Sequence, residues 1–515
     1  MLKKLSIVVS CIALLNSCSP EAPEQAEQSG EGKQIQVSDV AKVQDPTSKI
    51  PDQTRLAIIG NLMSVYTCTG MFVAGREEED FLAVDLDVWT SGAVSKAERD
   101  SFQINIDRAN KAVHVSRDGV DISTSVYREG LGCAIAFEDY PADKLRQDKI
   151  RPLAPYSSAE KNQVWPAGER VELDKANPDI DRAALMGALE FAFRPAEAGE
   201  LDPRTRAVIV VYKGEIVAER YAPGYSSDSL HYGASMSKSL LNAVVGMRIK
   251  DGRLALKKDH LLPEWQEDND PRSKLNLDHL LRMSSGLEFK GNHYPLDADG
   301  NLLLFMSADM GGFAASKPLE FPIDTKFKYN CGTTNIISKV LRNTFDGDDQ
   351  SYWTYPTERL FKKLGMRHTL FQTDSSGTFV GSSYVWGSAR DFARLGLLYL
   401  RNGNWNGEQL WPEDWVAYST TPSTTLLEGV SKDKPFGYGA QIWLDTPFQE
   451  GVPAARFMMS GWAGQTVYMV PEKDLVIVRM GMTKPGSDVW DFKEFSTLVE
   501  AAFPASDKKV HGEKQ

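Results

Sequence analysis

Apolar and polar positions along this chain repeat with two distinct periods. "TRLAIIGNLMSVY" (54–66) and "EEEDFLAVDLDVW" (77–89) carry apolar residues at helical spacing. After them "SFQINID", "KAVHVSR" and "STSVYR" alternate apolar and polar positions as half-buried strands do. "RDGV" (117–120) between the last two is a hairpin turn signal. These elements predict a small α+β domain over residues 53–150, with a structural or substrate-covering role. A polar, proline-bearing connection, "IRPLAPYSSAEKNQVWPAGE", leads into a second body spanning 165–505. It opens with "RAVIVVYKGEIVAERY", two alternating strands around the Lys213-Gly214 turn. It closes with three more strand candidates, "ARFMMS", "QTVYMV" and "DLVIVRMGM", and the stretch between is rich in helical patterns. Strands at both ends of a helical middle predict one antiparallel sheet, flanked by helices, with a helical insertion over it.

The first seventeen residues stand outside that plan. Lys3 and Lys4 precede a short apolar run, Leu5 to Leu15, and Cys18 follows in "LLNSC". The stretch resembles a bacterial lipoprotein signal, which implies cleavage before Cys18 and lipidation of its thiol; a plain secretory signal is the alternative. Ser19 after the cysteine points to the outer membrane. Residues 18–52 are rich in Glu, Gln, Ser and Pro and lack the apolar content to offset ordering, so they read as a disordered tether. The expectation is a periplasmic protein whose contact with the membrane is a lipid anchor. A formal charge of −12 argues against a nucleic-acid partner. Of five cysteines, Cys68, Cys133 and Cys331 remain after the leader and the anchor, too few and too scattered for a metal site. An oxidising compartment permits a Cys68–Cys133 disulfide, although spacing alone cannot show proximity.

The candidate chemistry begins with a serine and a lysine three residues apart. Ser-x-x-Lys occurs four times: Ser158–Lys161, Ser235–Lys238, Ser431–Lys434 and Ser506–Lys509. The first falls in the polar connection, the third beside Pro435 and the fourth in a basic carboxy terminus. Only Ser235–Lys238 reads as the opening of a helix, with apolar Leu240, Leu241, Val244 and Val245 after it and Asp251-Gly252 as a stop. At that spacing both side chains share one helix face, about 5–6 Å apart at Cβ. A serine hydroxyl needs a base to become a nucleophile. Lysine can serve only if its pKa of roughly 10.4 falls, which burial promotes.

"DTKFKYNCGTTNIISKVL" (324–341) and "FMMSGWAGQTVYMVPEKDLVIVRMG" (457–481), taken with "SMSK", resemble the three motif blocks of the penicillin-recognising (class C β-lactamase-related) serine hydrolases. "HLLRMSSGLEF", "GTFVGSSYVWGSARDFARLGLLYL" and "NGEQLWPEDWV" look like the 6-aminohexanoate-dimer hydrolase group within that superfamily. "TCTGMFVAGR" and "REGLGCAIA" extend the resemblance into the amino-terminal region. It implies the β-lactamase/penicillin-binding-protein fold and hydrolysis of a small amide or ester without metal or cofactor. Ser235 would be acylated, Lys238 would be its base, and Tyr329 would share the proton relay. The backbone N–H groups of Ser235 and Trp462 would form the oxyanion hole. Two positions depart from the pattern: Cys331 replaces the usual asparagine after Tyr329-Asn330, and the third block reads Met459-Ser460-Gly461 where a cation normally leads. Methionine cannot receive a substrate carboxylate, so a D-Ala peptidase or esterase, or a β-lactamase, ranks below a broader amide or ester hydrolase. A non-catalytic module that is acylated without turnover is the third reading.

Overall fold

The computed structural model describes residues 52–91, 94–195, 202–293, 295–423, 436–445, 453–485 and 489–504. The leader, Cys18, the tether before residue 52, and the pairs Ser431–Lys434 and Ser506–Lys509 lie outside them.

Helix α1 (Asp52–Phe72) is buried without a break from Ile58 to Met71. The second predicted helix is segmented: a short α-turn, a π-turn over Phe81–Asp85 and then α2 (Leu86–Thr90). Strands β1 (Gln103–Asp107), β2 (Ala112–Arg117), β3 (Val120–Arg128) and β4 (Gly132–Ile135) form an antiparallel meander in that order. Asp118 and Gly119 both take positive φ in the β2–β3 turn, the conformation a two-residue hairpin requires. Cys68 of α1 and Cys133 of β4 are joined by a disulfide, with Cα atoms 6.1 Å apart.

Helix α3 (Arg182–Ala192) precedes the hairpin β5 (Thr205–Tyr212) and β6 (Glu215–Tyr221), turned at Lys213-Gly214 with φ of 50° and 81°. β7 (His231–Tyr232) leads into α4 (Met236–Lys250). Helices α5 (Cys331–Asn343) and α6 (Ala389–Leu400) follow, with β8 (Thr369–Phe371) and β9 (Val385–Gly387) between them forming a small sheet with β7. A short hairpin, β10 (Asn404–Trp405) and β11 (Glu408–Gln409), precedes the last five strands. These are β12 (Phe436–Tyr438), β13 (Trp443–Asp445), β14 (Phe457–Gly461), β15 (Gln465–Val470) and β16 (Leu475–Gly481), and α7 (Phe492–Ala501) ends the fold. The main sheet runs β12-β13-β14-β15-β16-β5-β6, antiparallel throughout. β16 against β5 is the seam where the end of the body meets its beginning, as the strand–helix–strand order predicts.

Alternation along the strands divides the core. Val208, Val210, Met458, Tyr468 and Ile477 face α3 and α7 on one side. Ala207, Ile209, Val211, Met459, Val467 and Val478 face the other side, in a single apolar cluster with α4, α5, α6 and α1. The amino-terminal sheet is pinned to the body: Arg128 donates to the Thr373 and Asp374 carbonyls at 2.7 and 3.1 Å, and Gln372 Nε2 to the Cys133 carbonyl at 2.7 Å. Among the described residues no helix is long and apolar enough to cross a membrane.

Candidate active site

α4 is set into the centre of the body by polar side chains inside an otherwise apolar layer. Ser237 Oγ donates to the Ala234 carbonyl at 2.6 Å and accepts from Val385 N–H at 2.9 Å. Ser239 Oγ donates to the Gln441 carbonyl, and Asn242 Nδ2 to the Ala440 carbonyl, both at 2.8 Å. Each of these groups is buried and satisfied, which fixes the helix in rotation and depth. Ala234 enters the helix with φ of 47°, so Ser235 sits on a sharp strand-to-helix turn. A Cβ on Gly233 would stand 2.5 Å from Val385 Cγ1, so only glycine fits there.

Ser235 is half-buried and Lys238 is 1% exposed, so the hydroxyl meets the cleft while the amine does not. Lys238 Nζ donates to Ser235 Oγ at 3.3 Å and to the Ser382 carbonyl at 2.8 Å. It lies 4.0 Å from Cys331 Sγ and 4.8 Å from the centroid of the Tyr329 ring. Burial pushes the Lys238 ammonium toward neutrality, but the Cys331 and Tyr329 side chains oppose it and the net displacement is upward from the ordinary lysine value. This corrects the expectation of a lowered pKa. The Cys331 thiol and the Tyr329 phenol lie at and just before the start of α5, far along the chain.

Helicity does not set this pair apart either. Ser158–Lys161 also forms one helical turn, closed by a Ser157–Glu160 capping box. Both its side chains are exposed, whereas Lys238 is buried, so burial is the physical difference.

Tyr329 precedes α5, whose N-cap Asn330 accepts from Thr333 N–H at 2.7 Å. Its ring packs at 5.1 Å from Trp443 and edge-on at 5.6 Å from Tyr438. Asn292 clamps the segment leading into α5: its Nδ2 donates to the Tyr329 carbonyl and its Oδ1 accepts from Cys331 N–H. Cys331 is a buried free thiol.

Met459, Ser460 and Gly461 end β14 beside the Ser235 turn. A Cβ on Gly461 would lie 2.4 Å from the Gly233 carbonyl oxygen, so the absent side chain lets the strand touch the turn. Met459 is fully buried in the core. Trp462 follows, and Ala463 and Gly464 take positive φ of 63° and 81°. This kink is held by Arg479, which is wholly buried and donates to the Ala463 and Gly464 carbonyls at 3.1 Å each.

Ser235 and Trp462 open on a narrow cleft with a volume of about 50 Å³. Sequence reasoning missed several of its lining residues. His293 and Leu296 come from a loop, Ser383 from the turn before β9, and Leu62, Tyr66 and Trp89 from the amino-terminal segment. Ser383 lies in "GSSYVWG", and the resemblance of that stretch to the aminohexanoate-type group is the signal for it in the sequence. Burial and the neighbouring Lys238 charge push the His293 imidazole down to about 4, so it is neutral at pH 7. Among the described residues no cluster of three His, Cys, Asp or Glu side chains is arranged to hold a metal ion.

Residues 201–492 match the family model described as Beta-lactamase. A 6-aminohexanoate-dimer hydrolase of Paenarthrobacter ureafaciens is 25% identical over 378 residues, covering 67% of this chain and 90% of that protein. A penicillin-binding protein homolog from Caulobacter crescentus is 18% identical, over 64% of this chain and 98% of its own, with a TM-score of 0.47. A family VIII carboxylesterase is 14% identical, over 64% and 97%, with a TM-score of 0.47. With the family model covering more than half its length, the chain belongs to the beta-lactamase family of serine hydrolases, which act on amide or ester bonds.

Proposed function

We propose that the protein hydrolyses a small amide or ester through an acyl-enzyme on Ser235. The observation that carries this reading is the half-exposed Ser235 hydroxyl at the cleft, 3.3 Å from a fully buried Lys238 amine that faces Tyr329. Ser235 Oγ bonds to the substrate carbonyl carbon, and its proton passes to the Lys238–Tyr329 pair. The pair takes that proton in the state in which Lys238 is a neutral amine, which its upward displacement makes the minor species at pH 7. The Ser235 and Trp462 N–H groups face the developing oxyanion. The pair then protonates the leaving amine or alkoxide as its bond to carbon breaks, and later takes a proton from the water that releases the acid. No step calls on a cofactor.

The buried Met459 offers no cation for a substrate carboxylate, which ranks the D-Ala peptidase or esterase and β-lactamase readings below this one. The test is labelling of the full chain with a fluorophosphonate, followed by peptide mass spectrometry. An adduct on Ser235 that forms far more slowly in Lys238→Ala is the expected result; no adduct overturns the proposal. An adduct without turnover of any ester or amide would assign an acylatable binding module instead.

We also place the protein outside the cytoplasm, anchored through Cys18, with residues 53–150 and 165–505 as its two units. The Cys68–Cys133 disulfide supports an oxidising compartment. Metabolic labelling with a palmitate analogue, lost in Cys18→Ala, tests the anchor.

A further inference from the structure

The wall of the Ser235 cleft comes partly from the amino-terminal segment. Leu62 and Tyr66, one turn apart on α1, and Trp89 on α2 face Tyr232, Leu296 and Phe305 across it. The wall is rigid. Tyr66 stacks on Trp89 at 3.9 Å between centroids and meets Tyr232, Phe305 and Tyr384 edge-on at 5.9 to 6.1 Å. Behind it, Ser64 Oγ bonds Ser123 and Ser125 at 2.7 and 2.8 Å, and Asn61 Nδ2 donates to the Phe305 carbonyl at 2.6 Å. Among the described residues the lining contains no Asp, Glu, Lys or Arg; its polar groups are hydroxyls, the Asn301 amide, the His293 ring and the Trp89 and Trp462 indole N–H groups. A charged group brought here would lose its water without gaining an opposite charge, whereas an alkyl chain would be buried against aromatic faces.

We infer that Leu62, Tyr66 and Trp89 form the acyl wall of the site and select substrates whose acyl group is uncharged and apolar. The inference rests on the proposed function, because it needs Ser235 to carry the acyl group into this cleft.

The test is kcat/KM of the full chain for p-nitrophenyl acetate, butanoate and hexanoate, and for hexanoyl esters ending in an ammonium or a carboxylate. With about fourfold gained per buried methylene, hexanoate is expected to exceed acetate by roughly 200-fold. Each charged ester should fall at least ~100-fold below hexanoate. Leu62→Ala and Trp89→Ala should compress the hexanoate-to-acetate ratio at least tenfold. Leu62→Lys should shift preference toward the carboxylate-ended ester. Fluorophosphonate labelling of Ser235 in each variant separates a refashioned wall from a misfolded protein. A flat series in the wild type, or an unchanged ratio in labelled Leu62→Ala and Trp89→Ala, overturns the inference while leaving the serine chemistry standing. No labelling and no ester hydrolysis in the wild type refutes the proposed function and this inference with it.

Discussion

Arg479→Met tests whether the kink after Trp462 is held by a buried guanidinium. Arg479 makes six hydrogen bonds. Nη1 donates to the Ala463 and Gly464 carbonyls, Nη2 to the Pro203 carbonyl at 2.7 Å, Thr205 Oγ1 at 3.0 Å and Thr483 Oγ1 at 2.8 Å, and Nε to Thr205 Oγ1 at 3.2 Å. The Trp490 ring covers it at 4.3 Å, and among the described residues no carboxylate pairs with it. Burial accordingly pushes the guanidinium down to about 9. Methionine fills much of the same volume but leaves the Gly464 carbonyl without a donor, at ~1–3 kcal/mol, while the Ala463 and Pro203 carbonyls keep Thr483 N–H and Thr483 Oγ1. Relief from burying an unpaired charge offsets part of the further loss of the Thr205 and Thr483 contacts, so the net loss is about 1–3 kcal/mol. In the proposed mechanism the Trp462 N–H is an oxyanion donor, so unclamping Ala463 and Gly464 should displace it and lower kcat by roughly 10²–10³-fold. Urea unfolding followed by tryptophan fluorescence reads the first effect, and ester hydrolysis without denaturant reads the second. Arg479→Lys keeps the charge but cannot span acceptors on three segments, so it should fall between wild type and the Met variant. A Met variant with the wild-type urea midpoint and kcat would refute the reasoning.

The remaining predictions follow from other buried groups. Lys238→Ala should slow acylation of Ser235 by about 10²–10⁴-fold, read as the rate of phosphonate labelling. Tyr329→Phe should lower kcat with little change in KM; an effect confined to KM would contradict a proton-carrying role. Removing the Cys68–Cys133 bond, which spans 65 residues, should cost about 4 kcal/mol on loop entropy, measured as a lowered urea midpoint in Cys68→Ala/Cys133→Ala. His231 is buried beneath Tyr225 with neither ring nitrogen bonded, and burial pushes it from 6.5 down to about 3. Its folded pKa lies below the unfolded one, so the protein is unaffected above pH 6.5 and loses on the order of 4 kcal/mol as the pH falls to 3. Thermal unfolding of wild type and His231→Phe across that range should show the smaller acid loss in the variant.

What could be read from the chain divides along physical lines. Strands β5, β6, β15 and β16 were legible because a sheet with two covered faces uses short apolar runs, and Lys213-Gly214 marks the turn between the first two. Ser235 was legible through the helix that follows it and through the resemblance. The cleft wall was not. α1 is buried from Ile58 to Met71, so nothing in its pattern separates Leu62 and Tyr66, which face a cleft, from Ile58 and Ile59, which face the core. His293 lies in a Gly- and Pro-bearing loop with no period to read. The direction of the Lys238 shift depends on Cys331 and Tyr329, and only tertiary structure shows that they lie against the amine.

The pinning of the amino-terminal segment sets an order of assembly. Asn61 bonds Phe305, Arg128 bonds Thr373 and Asp374, and Ser375 bonds the Ile135 carbonyl, pairs between 240 and 246 residues apart. A chain made from its amino end completes Asn61, Arg128 and Ile135 between 240 and 246 residues before those partners exist. Loop closure over such distances is slow compared with forming a hairpin such as β5–β6. The amino-terminal segment is therefore among the last to dock on the body, and the cleft is complete only when it does. A partly folded chain would carry Ser235 without its acyl wall, so hydrolysis of long-chain esters would report arrival at the final fold.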